Sequence, residues 1–362
     1  MLISFILGTR PEIIKLAPMI RELKNTKICD YNIIHTNQHY DYQLDAVFFK
    51  ELELPEPEYN LGIGSDTHGA QTGRMLIEIE KVLMATMPDW VVVQGDTNTV
   101  LAGTLAAVKL HIPVGHVEAG LRSFDRSMPE ETNRIIADHV GTMLFAPTKG
   151  ARKHLTDEGI VKNVFVTGNT VVDALFQHIE IAKKRADNPV NRFASPFILA
   201  TIHRDSNTDD PKRLSEVLVT LGDIAEQSGH TVYLPAHPRT VNKIKDHGLQ
   251  ALLNQQKGLK IIQSLGYLDF LLALSRATLV ITDSGGVQEE ACILHIPTIT
   301  IRTTTERPET IEVGANVLAP QREQAVLAAK KMLTETGRNW ENPFGDGRSG
   351  RRILDLMIKG IN

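Results

Sequence analysis

Short apolar runs alternate along this chain with longer stretches in which apolar residues recur every three or four positions. The runs predict buried strands and the stretches predict helices, which together favour βα units that build parallel sheets. In the first half the predicted strands cover 2–7, 31–36, 90–94, 114–118, 143–146 and 164–167. In the second half they cover 197–202, 232–235, 259–262, 279–282 and 298–301.

A break in this alternation predicts two domains. A helical pattern over 171–186 runs into the polar segment 187–196, which contains two prolines and is typical of an interdomain linker. We therefore expect two doubly wound α/β domains, each with its own parallel sheet, that face each other across a cleft. The apolar stretch 353–361 predicts one more helix, which must dock on a domain to be stable.

Composition excludes several classes of function. The 362 residues carry a formal net charge of −4, so no overall basic field attracts nucleic acid or anionic lipid. Cys29 and Cys292 lie far apart in sequence, which argues against a disulfide framework or a thiolate metal site. No run approaches the roughly 18 apolar residues of a membrane span. We predict a cytoplasmic protein with neither a nucleic-acid nor a membrane partner.

Three carboxylates follow predicted strands or a tight turn: Asp96 after Val-Val-Val-Gln-Gly, Glu118 after Val-Gly-His-Val, and Glu130 after Met-Pro. Open parallel sheets bind ligands beyond the carboxyl ends of their strands. Carboxylates in these positions therefore predict acid/base chemistry on a bound ligand.

The clearest anion site is Ser284-Gly285-Gly286, where a predicted strand ends and a helix begins. Free backbone N–H groups and the helix dipole converge on such a turn, and glycine lets a phosphate approach closely. Glu290, one turn into that helix, could accept the hydroxyls of a ribose. The alternative is an ordinary βα turn with a capping serine.

Cationic groups lie at the same predicted edges. Thr9 and Glu12 have the spacing of a helix capping box. Arg10 and Lys15 can therefore be interpreted as residues of an ordinary helix start or as ligand contacts. His203 ends the first strand of the second half, where it could face a diphosphate, although a lone histidine is more often structural. His116 is interpreted as a supporting residue.

The sequence contains no complete motif for a common cofactor. Gly345-Asp-Gly347-Arg-Ser-Gly350 matches a dinucleotide fingerprint, but no strand precedes it and too little chain follows it. No phosphate-binding Walker loop is present, and no histidine has a familiar zinc-site spacing. We therefore expect neither a cofactor nor a metal.

Taken together, the motifs resemble those of the non-hydrolysing UDP-N-acetylglucosamine 2-epimerases. They follow the family's order over nearly the whole chain, and as a set they are highly specific. The matching segments are Gly8-Thr-Arg-Pro-Glu12, Gln38-His39, Gln94-Gly-Asp96-Thr, His116-Val-Glu-Ala-Gly-Leu-Arg122, Pro129-Glu-Glu-Thr-Asn-Arg134, Val166-Thr-Gly-Asn-Thr170, His203-Arg204, Thr282-Asp-Ser-Gly-Gly-Val-Gln-Glu-Glu290 and Thr304-Thr-Glu-Arg-Pro-Glu309.

The resemblance implies the GT-B fold, with 1–170 as the first Rossmann-like domain, 171–196 as helix and linker, and 197–349 as the UDP-binding domain. In that fold the last helix, 350–362, packs back on the first domain. The implied catalytic residues are Asp96, Glu118, Glu130, His203 and Arg134. The implied UDP-sugar contacts are Arg10, Lys15, Leu265, Phe270, Ser284, Gly285, Gly286, Glu290 and Arg307. No cofactor is implied, and a homodimer that serves cell-surface polysaccharide synthesis is expected.

Departures from the family pattern leave the substrate open. The segment Ser123–Glu130 is shorter than in many relatives and resembles those that epimerise a UDP-2,3-diacetamido uronic acid. Asp205 follows His203-Arg204 where a glutamate is usual. Gln38 and Arg74 match a site at which bacterial members bind a second substrate molecule as an effector. A retaining glycosyltransferase, a hydrolysing epimerase and a nucleotide-sugar sensor remain alternatives.

Overall fold

The computed structural model describes residues 1–38, 42–185, 187–335 and 339–360, with side chains described for all of these except 42–46. The chain divides into two compact units. Unit 1 comprises Met1–Gln177 and Phe344–Asn362, and unit 2 comprises His178–Pro343. Each unit is built around one parallel sheet.

Unit 1 contains a seven-stranded sheet in the order β3-β2-β1-β4-β5-β6-β7, with every described pairing parallel. Its strands are β1 (Leu2–Leu7), β2 (Asp30–His35), β3 (Tyr59–Asn60), β4 (Trp90–Gln94), β5 (Val114–Val117), β6 (Met143–Ala146) and β7 (Val164–Val166). Its helices up to the unit boundary are α1 (Arg10–Thr26), α2 (Tyr42–Glu51), α3 (His68–Thr86), α4 (Asn98–Lys109), α5 (Pro129–Val140), α6 (Lys149–Asp157) and α7 (Thr170–Lys183), which crosses that boundary.

Unit 2 contains a six-stranded parallel sheet in the order β10-β9-β8-β11-β12-β13. Its strands are β8 (Phe197–Thr201), β9 (Thr231–Ala236), β10 (Leu259–Gln263), β11 (Leu279–Thr282), β12 (Thr298–Thr300) and β13 (Asn316–Leu318). Its helices are α8 (Asp205–Thr208), α9 (Pro211–Ser228), α10 (Pro238–Asp246), α11 (Gln250–Gln255), α12 (Tyr267–Arg276), α13 (Gly285–Ile293), α14 (Pro308–Glu312) and α15 (Arg322–Thr334).

The last helix, α16 (Ser349–Lys359), belongs to unit 1 and packs on α1. Its first turn is capped by Asp173 of α7, whose carboxylate accepts the backbone N–H groups of Ser349 at 3.1 Å and Gly350 at 2.9 Å. An added Cβ at Gly350 would lie 3.2 Å from the Met19 side chain. A glycine at this position therefore allows the two helices to approach closely.

These sheets confirm the predicted fold class of two Rossmann-like parallel-sheet domains. Every predicted strand is present, with ends that differ by no more than one residue. The edge strands β3 and β13 were not predicted, because they span only two and three residues and carry no readable periodicity. The predicted linker contains a short 3₁₀ turn, Pro189–Arg192.

Strand order locates the ligand edge in each unit. In unit 1 the chain winds outward in opposite directions from β1 and β4, and in unit 2 it does so from β8 and β11. Loops after such a pair of strands separate and leave a crevice at the carboxyl edge of the sheet. The residues after these four strands are Gly8, Gly95, Ile202 and Asp283.

Candidate functional site

The turn after β4 brings two of the predicted carboxylates together. Gly95 adopts φ +84°, and its amide donates to the Val117 carbonyl at 3.1 Å. Glu118 directly follows β5 and adopts φ +71°, a left-handed conformation that costs a non-glycine residue about 1–3 kcal/mol. An added Cβ at Gly95 would lie 3.9 Å from Glu118 Oε2, so the Glu118 carboxylate lies beside the turn that presents Asp96.

Glu118 is nearly buried and strongly bound. Lys15 Nζ of α1 lies 2.7 Å from its Oε1 and 2.6 Å from its Oε2, and the Gln94 side-chain amide donates to Oε2. Two donor groups therefore fix the orientation of this carboxylate. Lys15, predicted as a nucleotide contact, forms an ion pair with a predicted catalytic residue.

Asp96 is held by two side chains of α5. Arg134 donates to its Oδ2, and Asn133 Nδ2 donates to its backbone carbonyl at 3.0 Å. Arg134 also donates to Glu131 Oε2 at 2.6 Å. Burial opposes the charge on Glu131, but hydrogen bonds from Ser123 and Phe124 and the Arg134 guanidinium lower its pKa below the usual range. A fixed anion thus orients the arginine that contacts Asp96.

Glu130 occupies the second position of α5 and is half-buried. Its neighbour Glu131 points inward to Arg134, whereas Glu130 forms no ion pair within the described ranges. The structure therefore places Glu130 at the start of the helix whose Asn133 and Arg134 hold Asp96.

A fourth carboxylate, Glu12, forms hydrogen bonds with both the loop after β1 and the loop after β4. It accepts the backbone N–H groups of Gly8 and Thr9, both at 2.7 Å, and the Thr97 hydroxyl at 2.5 Å. The predicted capping box is present. Burial raises the pKa of Glu12 to about 7, although these donors act to lower it. Glu12 is 1% exposed, so its role is to connect the two loops.

In unit 2 the helix start at Ser284 has the features of an anion site. Among the described residues the Ser284 side chain makes no cap hydrogen bond, contrary to the capping-serine alternative. Gly286 is exposed and does not adopt a left-handed φ, and an added Cβ there would meet no described atom within 4 Å. Neither backbone conformation nor packing requires glycine here. Glu290 is four residues on and lies on the same helix face.

The buried Asp283 joins the loops after β8 and β11. Its carboxylate accepts the backbone N–H groups of His203 at 3.1 Å and Arg204 at 3.0 Å, and the side chain of Asn207 at 3.0 Å. The His203 ring, 54% exposed, lies 3.3 Å from the same carboxylate. His203 is therefore held at the ligand edge with its ring accessible.

A cavity of about 440 Å³ opens beside this edge in unit 2. Leu265 and Phe270, predicted substrate contacts, and His203, a predicted catalytic residue, line it together with His237 and Arg239. Leu265 and Phe270 lie around the start of α12, and Val287 of α13 contributes one wall. An apolar wall with histidine and arginine side chains suits a planar base attached to phosphate.

Other predicted residues have protein partners. Arg10 stacks over the Phe48 ring at 5.9 Å, and Arg307 Nε donates to Glu289 Oε2 at 3.2 Å. Gln38 Oε1 accepts the Thr99 hydroxyl at 2.9 Å, and Arg74 pairs with Asp66 at 2.7 Å. The motif residue His39 lies outside the described residues.

Several supporting residues were not predicted. Asn133 donates to the Asp96 carbonyl, and Asp283 accepts the His203 amide, and composition and spacing do not reveal such contacts with the backbone. His237 and Arg239 line the cavity and could have been found, because they follow β9 as His203 follows β8.

The described part of the chain contains neither a candidate metal cluster nor a candidate membrane-spanning helix. Within it, no cluster of three or more histidine, cysteine, aspartate or glutamate side chains is arranged to hold a metal ion. No described helix combines the length and apolar character that crossing a membrane requires.

Comparisons with known proteins agree with this geometry. The family model described as UDP-N-acetylglucosamine 2-epimerase matches residues 21–358. A UDP-N-acetylglucosamine 2-epimerase of Methanocaldococcus jannaschii is 53% identical, over 99% of this chain and 100% of the relative. A UDP-2,3-diacetamido-2,3-dideoxy-D-glucuronate 2-epimerase of Pseudomonas aeruginosa is 40% identical, over 99% of this chain and 100% of the relative.

A solved structure gives the same result. The M. jannaschii UDP-GlcNAc 2-epimerase in complex with UDP-GlcNAc and UDP superposes with a TM-score of 0.84 at 53% identity, covering 99% of this chain and 100% of that one. Family model, relatives and structure each extend over nearly the whole length. The chain therefore belongs to the UDP-N-acetylglucosamine 2-epimerase family.

Proposed function

We propose that this enzyme interconverts UDP-N-acetylglucosamine and UDP-N-acetylmannosamine, without releasing free sugar, by eliminating UDP and adding it back. The observation that carries the proposal is that the Glu118 carboxylate lies beside the turn that presents Asp96, at the carboxyl edge of the unit 1 sheet, in a chain whose unit 2 has an open helix start at Gly286. Proton transfer and holding of a diphosphate are the two tasks that this reaction demands.

The order of bond breaking follows from the substrate. No carbonyl adjoins C2 of the hexosamine ring, so a carboxylate alone cannot remove its proton. When the C1–O bond breaks first, its electron pair leaves with the diphosphate and the sugar becomes an oxocarbenium ion. The C2 proton then passes to a carboxylate, and the C2–H electron pair forms the C1=C2 bond of a glycal.

Return from the glycal completes the epimerisation. An acid delivers a proton to the opposite face of C2 while a diphosphate oxygen attacks C1, which restores the UDP-sugar with inverted C2. Proton groups are needed on both faces of the ring, and each is worth about 10² to 10⁴ in rate. Asp96, Glu118 and Glu130 are the proposed proton-handling groups, with Arg134 orienting Asp96.

The proposed leaving-group contacts lie mostly in unit 2. The Ser284 side chain, the backbone N–H groups of Gly285 and Gly286, and the His203 ring stabilise the charge that develops on the diphosphate. Leu265 and Phe270 pack on uracil, and Glu290 binds the ribose. Arg10, Lys15 and Arg307 are the remaining proposed contacts. None of these roles calls for a cofactor.

The length of one segment favours an alternative substrate, the UDP-2,3-diacetamido uronic acid. The segment 123–130 has the length that resembles the diacetamido uronic acid enzymes, and the P. aeruginosa relative is of that type. The higher identity to the M. jannaschii enzyme favours the N-acetylglucosamine derivative.

Kinetics with both sugars test this choice. We expect kcat/KM to be at least about tenfold higher for UDP-N-acetylglucosamine than for the diacetamido glucuronate, because a pocket that fits a neutral hydroxymethyl group leaves a carboxylate unpaired. Products are separated by ion-exchange chromatography. A reversed preference would transfer the proposal to the uronic acid, and release of free sugar would indicate a hydrolysing enzyme.

The proposal also covers the oligomeric state, the cellular location and the regulation of the enzyme. A homodimer is supported by Ile77 and Met84, which are exposed and lie seven residues apart on one face of α3. The unpaired cysteines suit a cytoplasmic location.

Polysaccharide synthesis would consume the product, and Gln38 with Arg74 would bind a second substrate molecule as effector. Hyperbolic initial rates without a lag would remove the effector from the proposal.

A further inference from the structure

His116 is a fully buried histidine that the proposed reaction does not use. It lies on β5, two residues before Glu118, with no exposed surface. Its Nδ1 is 2.8 Å from Asp138 Oδ1 of α5, and its Nε2 is 2.8 Å from the carbonyl oxygen of Gly95. A buried ring with partners on both nitrogens has one fixed orientation.

Both partners are acceptors, so both ring nitrogens carry hydrogen and the ring is an imidazolium. Asp138 is ionised because Arg122 also donates to it at 2.7 Å and the Gly120 amide at 3.1 Å. Burial opposes the charge, but the Asp138 carboxylate raises the pKa of His116 above its ordinary value. Arg122 in turn forms a bidentate pair with Glu158, which completes a charge-balanced chain.

The Gly95 bond connects this chain to the proposed catalytic groups. The His116 ring holds the carbonyl of the left-handed residue that precedes Asp96, while the Gly95 amide is held by Val117. The charged groups that act on the ring are Asp138 of α5 and Glu118, which directly follows β5, and Arg122 donates to the same Asp138 carboxylate. The buried His116 cation therefore contacts the residue that precedes Asp96 and lies two residues before Glu118 in the chain.

We propose that His116 is a positioning residue for epimerisation: its imidazolium fixes the Gly95–Asp96 turn against the end of β5, so that Asp96 and Glu118 keep the spacing that proton transfer at C2 requires. The inference rests on the proposed function. A displacement of about 1 Å in a reacting group costs on the order of 10² in rate. Loss of this bond therefore lowers kcat and leaves KM and UDP affinity nearly unchanged.

Two amide substitutions separate the two hydrogen bonds. The amide nitrogen of His116→Asn replaces Nδ1 and keeps the Asp138 bond, whereas that of His116→Gln replaces Nε2 and can reach the Gly95 carbonyl. We expect kcat to fall about 10²-fold in His116→Asn and no more than about tenfold in His116→Gln. Equal losses in both variants, or kcat within threefold of wild type in His116→Asn, would overturn the proposal.

A third variant retains the ring and neutralises the carboxylate that His116 shares with Arg122 and the Gly120 amide. The imidazolium is present below its pKa, so kcat falls as pH rises through that value. Asp138→Asn removes the carboxylate that raises the pKa, and the alkaline fall in kcat should move to lower pH by at least about one unit. An unchanged alkaline limb would contradict the proposal even if the amide variants failed to fold.

The outcome for wild type separates this inference from the proposed function. If wild type does not convert UDP-N-acetylglucosamine, the proposed function fails. If wild type converts it while kcat, KM and the alkaline limb stay unchanged in the variants, the positioning role alone fails.

Discussion

Asp96→Asn, Glu118→Gln and Glu130→Gln should each lower the turnover of UDP-N-acetylglucosamine by at least about 10²-fold, while UDP affinity changes less than about threefold. Each substitution keeps the side-chain volume and removes one proton-handling carboxylate, whereas the proposed diphosphate contacts in unit 2 remain. Initial rates give the turnover, and calorimetric titration with UDP gives the affinity.

The three variants should differ in stability. Glu118→Gln leaves the Lys15 ammonium without the carboxylate that it contacts at 2.6 Å, so its melting temperature should fall. Asp96 is more exposed, and Asp96→Asn should melt close to wild type. Rates are therefore measured well below the lowest melting temperature. Asp157→Asn, an exposed carboxylate on α6, is the matched control and should keep full activity. Activity near that of wild type would remove the substituted carboxylate from the mechanism.

Gly286→Ala should weaken UDP binding at least about tenfold, a loss of about 1.4 kcal/mol, without lowering the melting temperature of the free protein. The added methyl group meets no described atom, and alanine is favoured over glycine in helices by up to about 1 kcal/mol. It would, however, occupy the space through which a phosphate approaches the backbone N–H groups.

Gly150→Ala on α6 provides the matched control. Gly150 is also the second residue of its helix and is exposed, and an added Cβ would make only an ordinary contact of 3.5 Å with Thr148. Both variants should melt at or above the wild-type temperature, and only Gly286→Ala should bind UDP more weakly. Equal UDP affinity in the two variants would exclude the α13 start as the diphosphate site.

The strands and the two predicted sheets followed from the sequence because parallel strands buried on both faces are nearly continuous apolar runs. The position of Asp96, His203 and Ser284 at the carboxyl edges of the sheets followed as well, since they come shortly after strands whose ends the pattern defines. Edge strands β3 and β13 did not follow, because two or three residues carry no periodicity.

The contacts that organise the site could not be predicted, because they join residues far apart in sequence. Lys15 and Glu118 form an ion pair across 103 positions, and Glu12 meets Thr97 across 85. Gly8 and Gly286 illustrate the same limit, because the sequence does not show which glycine is required by packing. An added Cβ at Gly8 would lie 2.0 Å from Thr36 Oγ1, so packing requires that glycine, whereas nothing described crowds Gly286.

Elimination of UDP with loss of the C2 proton is the central claim, and exchange with solvent tests it most directly. The protein is incubated with UDP-N-acetylglucosamine in D₂O and the sugar is followed by ¹H and ³¹P NMR. Intact UDP-sugars of both configurations should appear with deuterium at C2. Epimerisation with the original hydrogen retained at C2, or accumulation of free sugar, would contradict the mechanism.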